Sequence, residues 1–191
     1  MTSTLRKTDF GGLAVAYDDP DLEPRAWTVA QSRWAEDLLR SAPPGPVLEL
    51  CAGVGHIGLL AVAHRRRDLV MVDADPHACE LARANAHSNR ALGVVDVRQG
   101  LVDEVLEPGE WFAGVIADPP ADDRLDVARR CVRVIDRHLA SYGWALLQLG
   151  TTAQAHSLAR SLDTPTAADL EVVEIRAYDR GVIVRLARPD A

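Results

Sequence analysis

Three glycines and a carboxylate in the first half of the chain have the types and spacing of a nucleotide-binding site. Gly53, Gly55 and Gly58 form a G-x-G-x-x-G turn between a short apolar run and an amphipathic stretch. Such glycines let the backbone turn sharply and approach a ligand, and they let the following helix pack closely on the strand. Asp73 ends the next apolar run, where its carboxylate could accept hydrogen bonds from both hydroxyls of a ribose. This combination predicts nucleotide binding.

A second polar motif, Asp118-Pro119-Pro120, follows a later apolar run. In a parallel sheet this motif would lie at the same edge as the glycine turn, because ligands bind beyond the carboxyl ends of such strands. A carboxylate there can accept a hydrogen bond from a substrate, and prolines hold the adjoining backbone in an extended geometry. The motif therefore predicts chemistry beside the bound nucleotide.

The apolar pattern predicts the elements that would position these motifs. From about residue 46, short runs rich in Val, Ile and Leu alternate with longer amphipathic stretches, which is typical of repeated strand–helix units. Strands are predicted at residues 46–50, 68–73, 93–98, 114–117 and 144–149, and helices at residues 56–67, 76–90, 124–141 and 153–162.

Both ends of the chain depart from this alternation. Two extended runs, residues 170–178 and 182–188, are joined by a tight turn at Asp179-Arg180-Gly181 and predict a hairpin. Residues 12–17 predict a short strand, and residues 28–41 predict an amphipathic helix capped by Thr28. The predicted fold is α/β: a Rossmann-like three-layer sandwich whose mostly parallel seven-stranded sheet ends in an antiparallel hairpin.

Length and composition restrict the class of protein. The 191 residues suffice for one core, interpreted as a single domain over 1–191 with an N-terminal strand and lid helix in 1–45 and a Rossmann-like core in 46–191. Charged residues make up 26%, as in soluble globular proteins. Neither a membrane-spanning run nor a signal peptide is found in the sequence, so a cytoplasmic location is predicted. The net charge of −7 opposes a generic nucleic-acid surface, and the Cys and His spacings predict no metal site.

Taken together, the motifs resemble those of class I S-adenosylmethionine-dependent methyltransferases. The most specific match is to the (Asn/Asp)-Pro-Pro-aromatic motif of amino methyltransferases that act on bases or glutamine side chains, such as the release-factor glutamine methyltransferases. The matching segments are residues 13–15, 24–28, 47–58, 72–76 and 116–120. The resemblance implies S-adenosylmethionine as the cofactor and methyl transfer to nitrogen as the activity.

The resemblance also implies a role for each motif. Glu49 would reach the ammonium group of the methionine moiety, directly or through water, and Asp73 would hold the ribose. Thr28 and Gln31 belong to the region that closes over the methionine carboxylate. Cofactor contacts are expected from Thr28, Gln31, Glu49, Cys51, Ala52, Gly53, Gly55, Gly58, Asp73, Ala74, Leu101 and Asp118.

Catalytic contacts are expected from Asp118, Pro119 and Pro120. In the family that the motif resembles, the polar residue and the carbonyl between the prolines accept hydrogen bonds from the target NH2. These bonds aim the nitrogen lone pair at the methyl group, which suits an in-line displacement.

Two departures from the family pattern keep alternatives open. Ala121 stands where the family has an aromatic residue that stacks on a planar acceptor; Trp27 or Trp111 could supply that ring or belong to the core. Leu101 stands where relatives carry an acid beside the adenine amine, and Asp103 could replace it. A non-catalytic S-adenosylmethionine-binding or scaffold protein and an NAD-dependent oxidoreductase therefore remain alternatives.

The methyl acceptor is left open between a small molecule, a protein and RNA, and so is the oligomeric state. Asp122 and Asp123 would add negative charge that favours a cationic or amine acceptor over a phosphate-rich one, or they would simply cap the helix that follows.

Overall fold

The computed structural model describes residues 4–120, 125–162 and 169–189. The strands are β1 (Arg6–Phe10), β2 (Leu13–Tyr17), β3 (Val47–Leu50), β4 (Leu69–Asp73), β5 (Val95–Gln99), β6 (Phe112–Ala117), β7 (Leu139–Leu149), β8 (Glu171–Tyr178) and β9 (Gly181–Ala187). The α-helices are α1 (Val29–Leu38), α2 (His56–Val62), α3 (Pro76–Ser88), α4 (Asp126–His138) and α5 (Thr152–Leu162), with short 3-10 turns at Pro20–Leu22 and Ala26–Thr28.

Seven strands form one sheet in the order β5-β4-β3-β6-β7-β9-β8. The first five are parallel, and β9 and β8 complete the sheet as an antiparallel hairpin. One apolar cluster includes side chains of α1, α2 and α3, and a second includes side chains of α4 and α5. Strands β3 and β6 are buried along their whole length, as expected for strands covered on both faces. The predicted three-layer sandwich is confirmed.

Strand register places the polar motifs at one edge of the sheet. Leu50, the last residue of β3, pairs with Val72 of β4 on one side and with Ala117 of β6 on the other. The residues that follow Leu50, Val72 and Ala117 therefore lie side by side at the carboxyl edge of the sheet. Cys51 is in the centre, and Asp73 and Asp118 flank it. This is the edge at which ligands bind in open α/β sheets.

The structure differs from the predicted elements in several places, and α2, for example, ends at Val62 instead of residue 67. Strand β1 was not predicted, and it pairs with β2 in a separate two-stranded sheet. Strand β7 begins at Leu139, directly after α4, and so is five residues longer at its start than predicted. Thr28 does not cap α1: its backbone is helical, and its hydroxyl donates a 2.8 Å hydrogen bond to the carbonyl of Arg25.

Within the described ranges, no helix combines the length and the apolar character that crossing a membrane requires. The same residues contain no group of three or more His, Cys, Asp and Glu side chains suited to a metal ion. Cys79 and Cys131 are buried in the core, and Cys51 is partly buried at the end of β3.

Candidate active site

The glycine turn between β3 and α2 is held open by its own backbone conformation. Gly53 has a φ of +53°, and a β-carbon at this position would have no other atom within 4 Å. Its amide donates a 2.7 Å hydrogen bond to Oδ2 of Asp73. The turn therefore presents bare backbone to open space, fixed by a carboxylate from the neighbouring strand.

Asp73 is oriented through both of its carboxylate oxygens. Besides the bond from Gly53, Oδ1 accepts a 2.9 Å hydrogen bond from the amide of Asp75. Each carboxylate oxygen has a second lone pair, so the group retains acceptor capacity for a ligand. Its position at the end of β4 fits the predicted contact with a ribose.

Glu49 is buried behind the glycine turn, with 2% of its surface exposed. Its Oε1 accepts a 3.0 Å hydrogen bond from the amide of Gly58, whose missing side chain gives the carboxylate room to approach α2. Oε2 is enclosed and has no hydrogen-bond partner among the described residues. Burial raises the pKa of Glu49 to about 8, so the side chain is mostly protonated at neutral pH. Through the bond from Gly58, Glu49 fastens α2 to β3; its expected contact with the ammonium group of the methionine moiety, directly or through water, stays a prediction.

Two cavities adjoin at the carboxyl edge of the sheet. The first, the glycine-loop cleft, has a volume of about 380 Å³ and is lined by Asp21, Leu22, Glu23, Arg25, Cys51, Ala52, Gly53, Val54, His56, Ile57, Asp73, Asp118, Pro119 and Pro120. The second, the hairpin cavity, has a volume of about 310 Å³ and is lined by Arg25, Trp27, Asp118, Pro119, Pro120, Leu125, Ala128, Gln148, Leu149, Gly150, Gln154, Asp179, Arg180 and Gly181.

Four residues line both cavities: Arg25, Asp118, Pro119 and Pro120. The Asp-Pro-Pro motif therefore forms the boundary between the two cavities. Burial raises the pKa of Asp118 to about 6, and the nearby Arg25 guanidinium acts in the opposite direction by favouring the carboxylate. Asp118 is thus predominantly ionised at neutral pH and can accept a hydrogen bond.

Arg25 was matched in the sequence but was assigned no function. Among the described residues that line the glycine-loop cleft, it is the only arginine or lysine. Its guanidinium forms no ion pair with any described carboxylate. The 3-10 turn at Ala26–Thr28 follows it directly and leads into α1. Arg25 is therefore available to a negatively charged group of a ligand.

His56 also lines the glycine-loop cleft and was not expected to. Its ring meets that of Phe10 edge to face, with the centroids 4.7 Å apart, and its Nε2 lies 3.5 Å from the hydroxyl oxygen of Thr28. Burial, with a smaller contribution from Arg25, lowers the pKa of His56 to about 3, so the imidazole is neutral. No periodicity distinguishes this histidine in the sequence; its place between Gly55 and Gly58 of the glycine motif was the available signal.

Gln31 is turned into the core, and its expected role at the methionine carboxylate stays a prediction. It has no exposed surface, and its amide nitrogen donates 3.1 Å hydrogen bonds to the carbonyls of Ala117 and Leu146. These bonds attach α1 to the ends of β6 and β7. Thr28 is likewise 1% exposed and lines neither cavity, and its expected ligand contact also stays a prediction.

The remaining predicted residues divide into two groups. Cys51, Ala52, Gly53, Asp73, Asp118, Pro119 and Pro120 line the glycine-loop cleft, whereas Gly55, Gly58, Ala74 and Leu101 do not. Ala74 and Leu101 are exposed at the ends of β4 and β5, where contact with an adenine stays a prediction. Asp103 lies 3.9 Å from Arg130 and lines neither cavity. Residues 121–123, including Ala121, fall outside the described ranges.

Comparisons with known proteins identify the family. The profile of the methyltransferase small domain family matches residues 34–167. The chain is 36% identical over 109 residues to a ribosomal protein L11 methyltransferase of Symbiobacterium thermophilum, covering 55% of this chain and 34% of that protein. It is 29% identical over 107 residues to the uncharacterized protein YbxB of Bacillus subtilis, covering 54% and 53%. The matched regions thus span about a third to a half of these relatives.

Solved methyltransferase structures share the fold. A ribosomal protein L11 methylase of Lactobacillus delbrueckii aligns over 89% of this chain and 83% of its own, with a TM-score of 0.71 and 15% identity. A tRNA (uracil-54, C5)-methyltransferase of Pyrococcus abyssi, solved with S-adenosyl-L-homocysteine, aligns over 96% and 44%, with a TM-score of 0.71 and 19% identity. Because the family profile covers most of the sequence, the chain belongs to the methyltransferase small domain family of S-adenosylmethionine-dependent methyltransferases.

Proposed function

We propose that this chain transfers the methyl group of S-adenosylmethionine to a nitrogen atom of an acceptor held at Asp118. The observation that carries the proposal is that Asp118-Pro119-Pro120 lines both the glycine-loop cleft and the hairpin cavity. A donor in the first cavity and an acceptor in the second would meet at this motif.

The glycine-loop cleft has the donor and acceptor groups that S-adenosylmethionine requires. The open space at Gly53 admits the cofactor against bare backbone, and Asp73 can accept hydrogen bonds from the ribose. Arg25 supplies the positive charge for the methionine carboxylate, the role expected earlier of Thr28 and Gln31.

Asp118 orients the acceptor. When bound, the cofactor supplies a methyl group on a positively charged sulfur, which an in-line nitrogen lone pair can displace. The ionised carboxylate of Asp118 accepts a hydrogen bond from the acceptor N–H and thereby aims that lone pair. It also stabilises the positive charge that develops on the nitrogen and can take the proton that is released. Pro119 and Pro120 restrict the backbone, so the carbonyl between them is held in place for a second hydrogen bond.

Nitrogen is favoured over carbon as the methylated atom because the carboxylate of Asp118, which lines the hairpin cavity, can accept a hydrogen bond. An amine or amide N–H has a proton to donate to Asp118, whereas a carbon nucleophile gains nothing from that bond. The described lining of the hairpin cavity also contains no cysteine that could form a covalent adduct with a base.

The proposal is tested with radiolabelled S-adenosylmethionine and separate RNA, protein and small-molecule fractions of a cell extract. The wild type should label one fraction, and mass spectrometry of the product should place the methyl on nitrogen. Asp118→Ala should abolish labelling, whereas the control Asp37→Ala, which changes an exposed carboxylate of α1 outside both cavities, should not. A methyl group on carbon, oxygen or sulfur, or full labelling by Asp118→Ala, would overturn the proposal.

A further inference from the structure

The segment between the 3-10 turns at Pro20–Leu22 and Ala26–Thr28 presents two opposite charges to the glycine-loop cleft. Glu23 and Arg25 are exposed and line the cleft, whereas Pro24 between them is buried. The backbone is extended at Glu23 (φ −60°, ψ 124°) and at Arg25 (φ −86°, ψ 115°). Alternate residues of an extended chain point to the same side and lie about 6 to 7 Å apart. The carboxylate and the guanidinium therefore face the cleft together.

An aromatic residue holds each of these charged groups. The hydroxyl of Tyr17 donates a 3.0 Å hydrogen bond to Oε1 of Glu23. The guanidinium carbon of Arg25 lies 5.7 Å from the ring centroid of Trp27, and that of Arg180 lies 5.0 Å from the same centroid. Neither Glu23 nor Arg25 forms an ion pair with a described residue. The two opposite charges thus stay apart, and each keeps hydrogen-bonding capacity for a ligand.

The other carboxylates at the cleft have different surroundings. Asp73 is expected at the ribose and Asp118 at the acceptor, so two further carboxylates of the lining have no role yet: Asp21 and Glu23. Of these two, Glu23 is the one oriented by a described side chain. Glu49, from which an ammonium contact is expected, is buried and mostly protonated at neutral pH, so it can accept a hydrogen bond but supplies no charge.

We infer that Glu23 binds the ammonium group of the methionine moiety while Arg25 binds its carboxylate. This inference rests on the proposed function, which places that carboxylate at Arg25. The ammonium and the carboxylate of an amino acid are bonded to the same carbon, so an unpaired carboxylate and guanidinium on one face match a zwitterion. Because Tyr17 and Trp27 hold the two groups before the ligand arrives, less side-chain ordering opposes binding.

The inference is tested by isothermal titration calorimetry on the full chain with four ligands. S-adenosyl-L-homocysteine has both charged groups, and 5′-methylthioadenosine has neither. The amine analogue, 5′-(3-aminopropylthio)-5′-deoxyadenosine, lacks the carboxylate, and the acid analogue, 5′-(3-carboxypropylthio)-5′-deoxyadenosine, lacks the ammonium group. Glu23→Gln should weaken binding of S-adenosyl-L-homocysteine and of the amine analogue about tenfold or more, without weakening binding of the other two.

Further variants test whether the effect belongs to Glu23. Tyr17→Phe removes the hydroxyl that orients Glu23 and should produce a smaller loss for the same two ligands. Asp37→Asn removes an exposed carboxylate of α1 outside both cavities and should leave all four affinities unchanged. Asp21→Asn removes the other unassigned carboxylate of the cleft lining. A loss in Asp21→Asn as large as that in Glu23→Gln would show that the ammonium group responds to the summed charge of the cleft, and would overturn the inference.

Arg25→Ala, measured with the same ligands, separates this inference from the proposed function. It should weaken binding of S-adenosyl-L-homocysteine and of the acid analogue but not of the amine analogue. If Arg25→Ala behaves in this way while Glu23→Gln weakens none of the ligands, or all four equally, the inference is overturned and the proposed function stands. If the wild type does not bind S-adenosyl-L-homocysteine, the proposed function fails first.

Discussion

The backbone amide of Gly53 donates a 2.7 Å hydrogen bond to the carboxylate of Asp73, so the glycine turn and the end of β4 are fixed to each other. The residue expected to bind the ribose thereby also sets the shape of the loop against which the cofactor lies. The carboxylate of Asp73 thus serves both the expected ribose contact and the hydrogen bond from Gly53. Substitution of Asp73 should affect both.

We predict that Asp73→Ala weakens binding of S-adenosyl-L-homocysteine roughly 10- to 100-fold, because hydrogen bonds to a charged group are lost along with the bond that orders Gly53. Isothermal titration calorimetry measures the change. Asp37→Ala removes an exposed aspartate of α1 outside both cavities and should leave the affinity unchanged. An Asp73→Ala affinity within a few fold of the wild type would show that this carboxylate does not hold the ribose.

Arg25→Ala should weaken binding of S-adenosyl-L-homocysteine about tenfold or more while leaving binding of 5′-methylthioadenosine unchanged. The second ligand has the same nucleoside but lacks the amino-acid carboxylate that Arg25 would pair with. Arg25→Lys keeps the charge and should lie between the wild type and Arg25→Ala. Equal losses for the two ligands would place the contact of Arg25 elsewhere.

Asp118 should titrate near pH 6, above the ordinary range of an aspartate, because burial disfavours its charged form. Arg25→Ala should raise this pKa further, since the guanidinium favours the carboxylate. Carbon-13 NMR of the side-chain carboxyl groups, with Asp118→Asn to assign the signal, measures both values without an acceptor. A midpoint at or below about 4, or no upward change in Arg25→Ala, would contradict this electrostatic account of the site.

Glu49 should make the protein less stable as the pH rises. Burial raises its pKa from 4.5 to about 8 in the folded state. The protonated side chain therefore makes its full contribution to the free energy of unfolding below about pH 4.5, and this contribution is lost as the pH rises through about 8. Gln cannot ionise at this position. From pH 5 to pH 9, the free energy of unfolding of Glu49→Gln should therefore rise by roughly 1 to 4 kcal/mol relative to that of the wild type. Urea unfolding at the two pH values measures this difference, and an equal effect of the substitution at both would rule out a buried, protonated Glu49.

Much of the fold follows from the sequence because buried parallel strands are short and apolar. Strand β1 was missed since Lys7 and Asp9 interrupt any apolar run; it is identified only by its pairing with β2. The start of β7 was missed because the helix before it was predicted to run to residue 141, whereas it ends at His138 and the strand begins at Leu139. Strand β1 is defined by its pairing with β2 and the start of β7 by its pairing with β6, and the local apolar pattern shows neither pairing.

The parts of the site that depend on backbone geometry could be predicted from the sequence. The directions of individual side chains could not. The glycine spacing and the strand ends predicted Asp73 and Asp118 at one edge. Periodicity could not show that Gln31 turns into the core, and the sequence could not show that the hydrogen bond from Gly58 draws Glu49 behind the loop. The positive charge in the described lining of the glycine-loop cleft comes from Arg25, which lies in an irregular segment where no periodic pattern marks it.

The central claim is that Asp118 lies between separate donor and acceptor sites and acts on the acceptor. Its most direct test compares S-adenosyl-L-homocysteine affinity with methyl transfer for the wild type and Asp118→Ala, using the fraction that the wild type labels. We expect the dissociation constant to stay within a few fold while transfer falls below detection. Intact transfer in Asp118→Ala, or a loss of cofactor affinity as large as the loss of transfer, would contradict it.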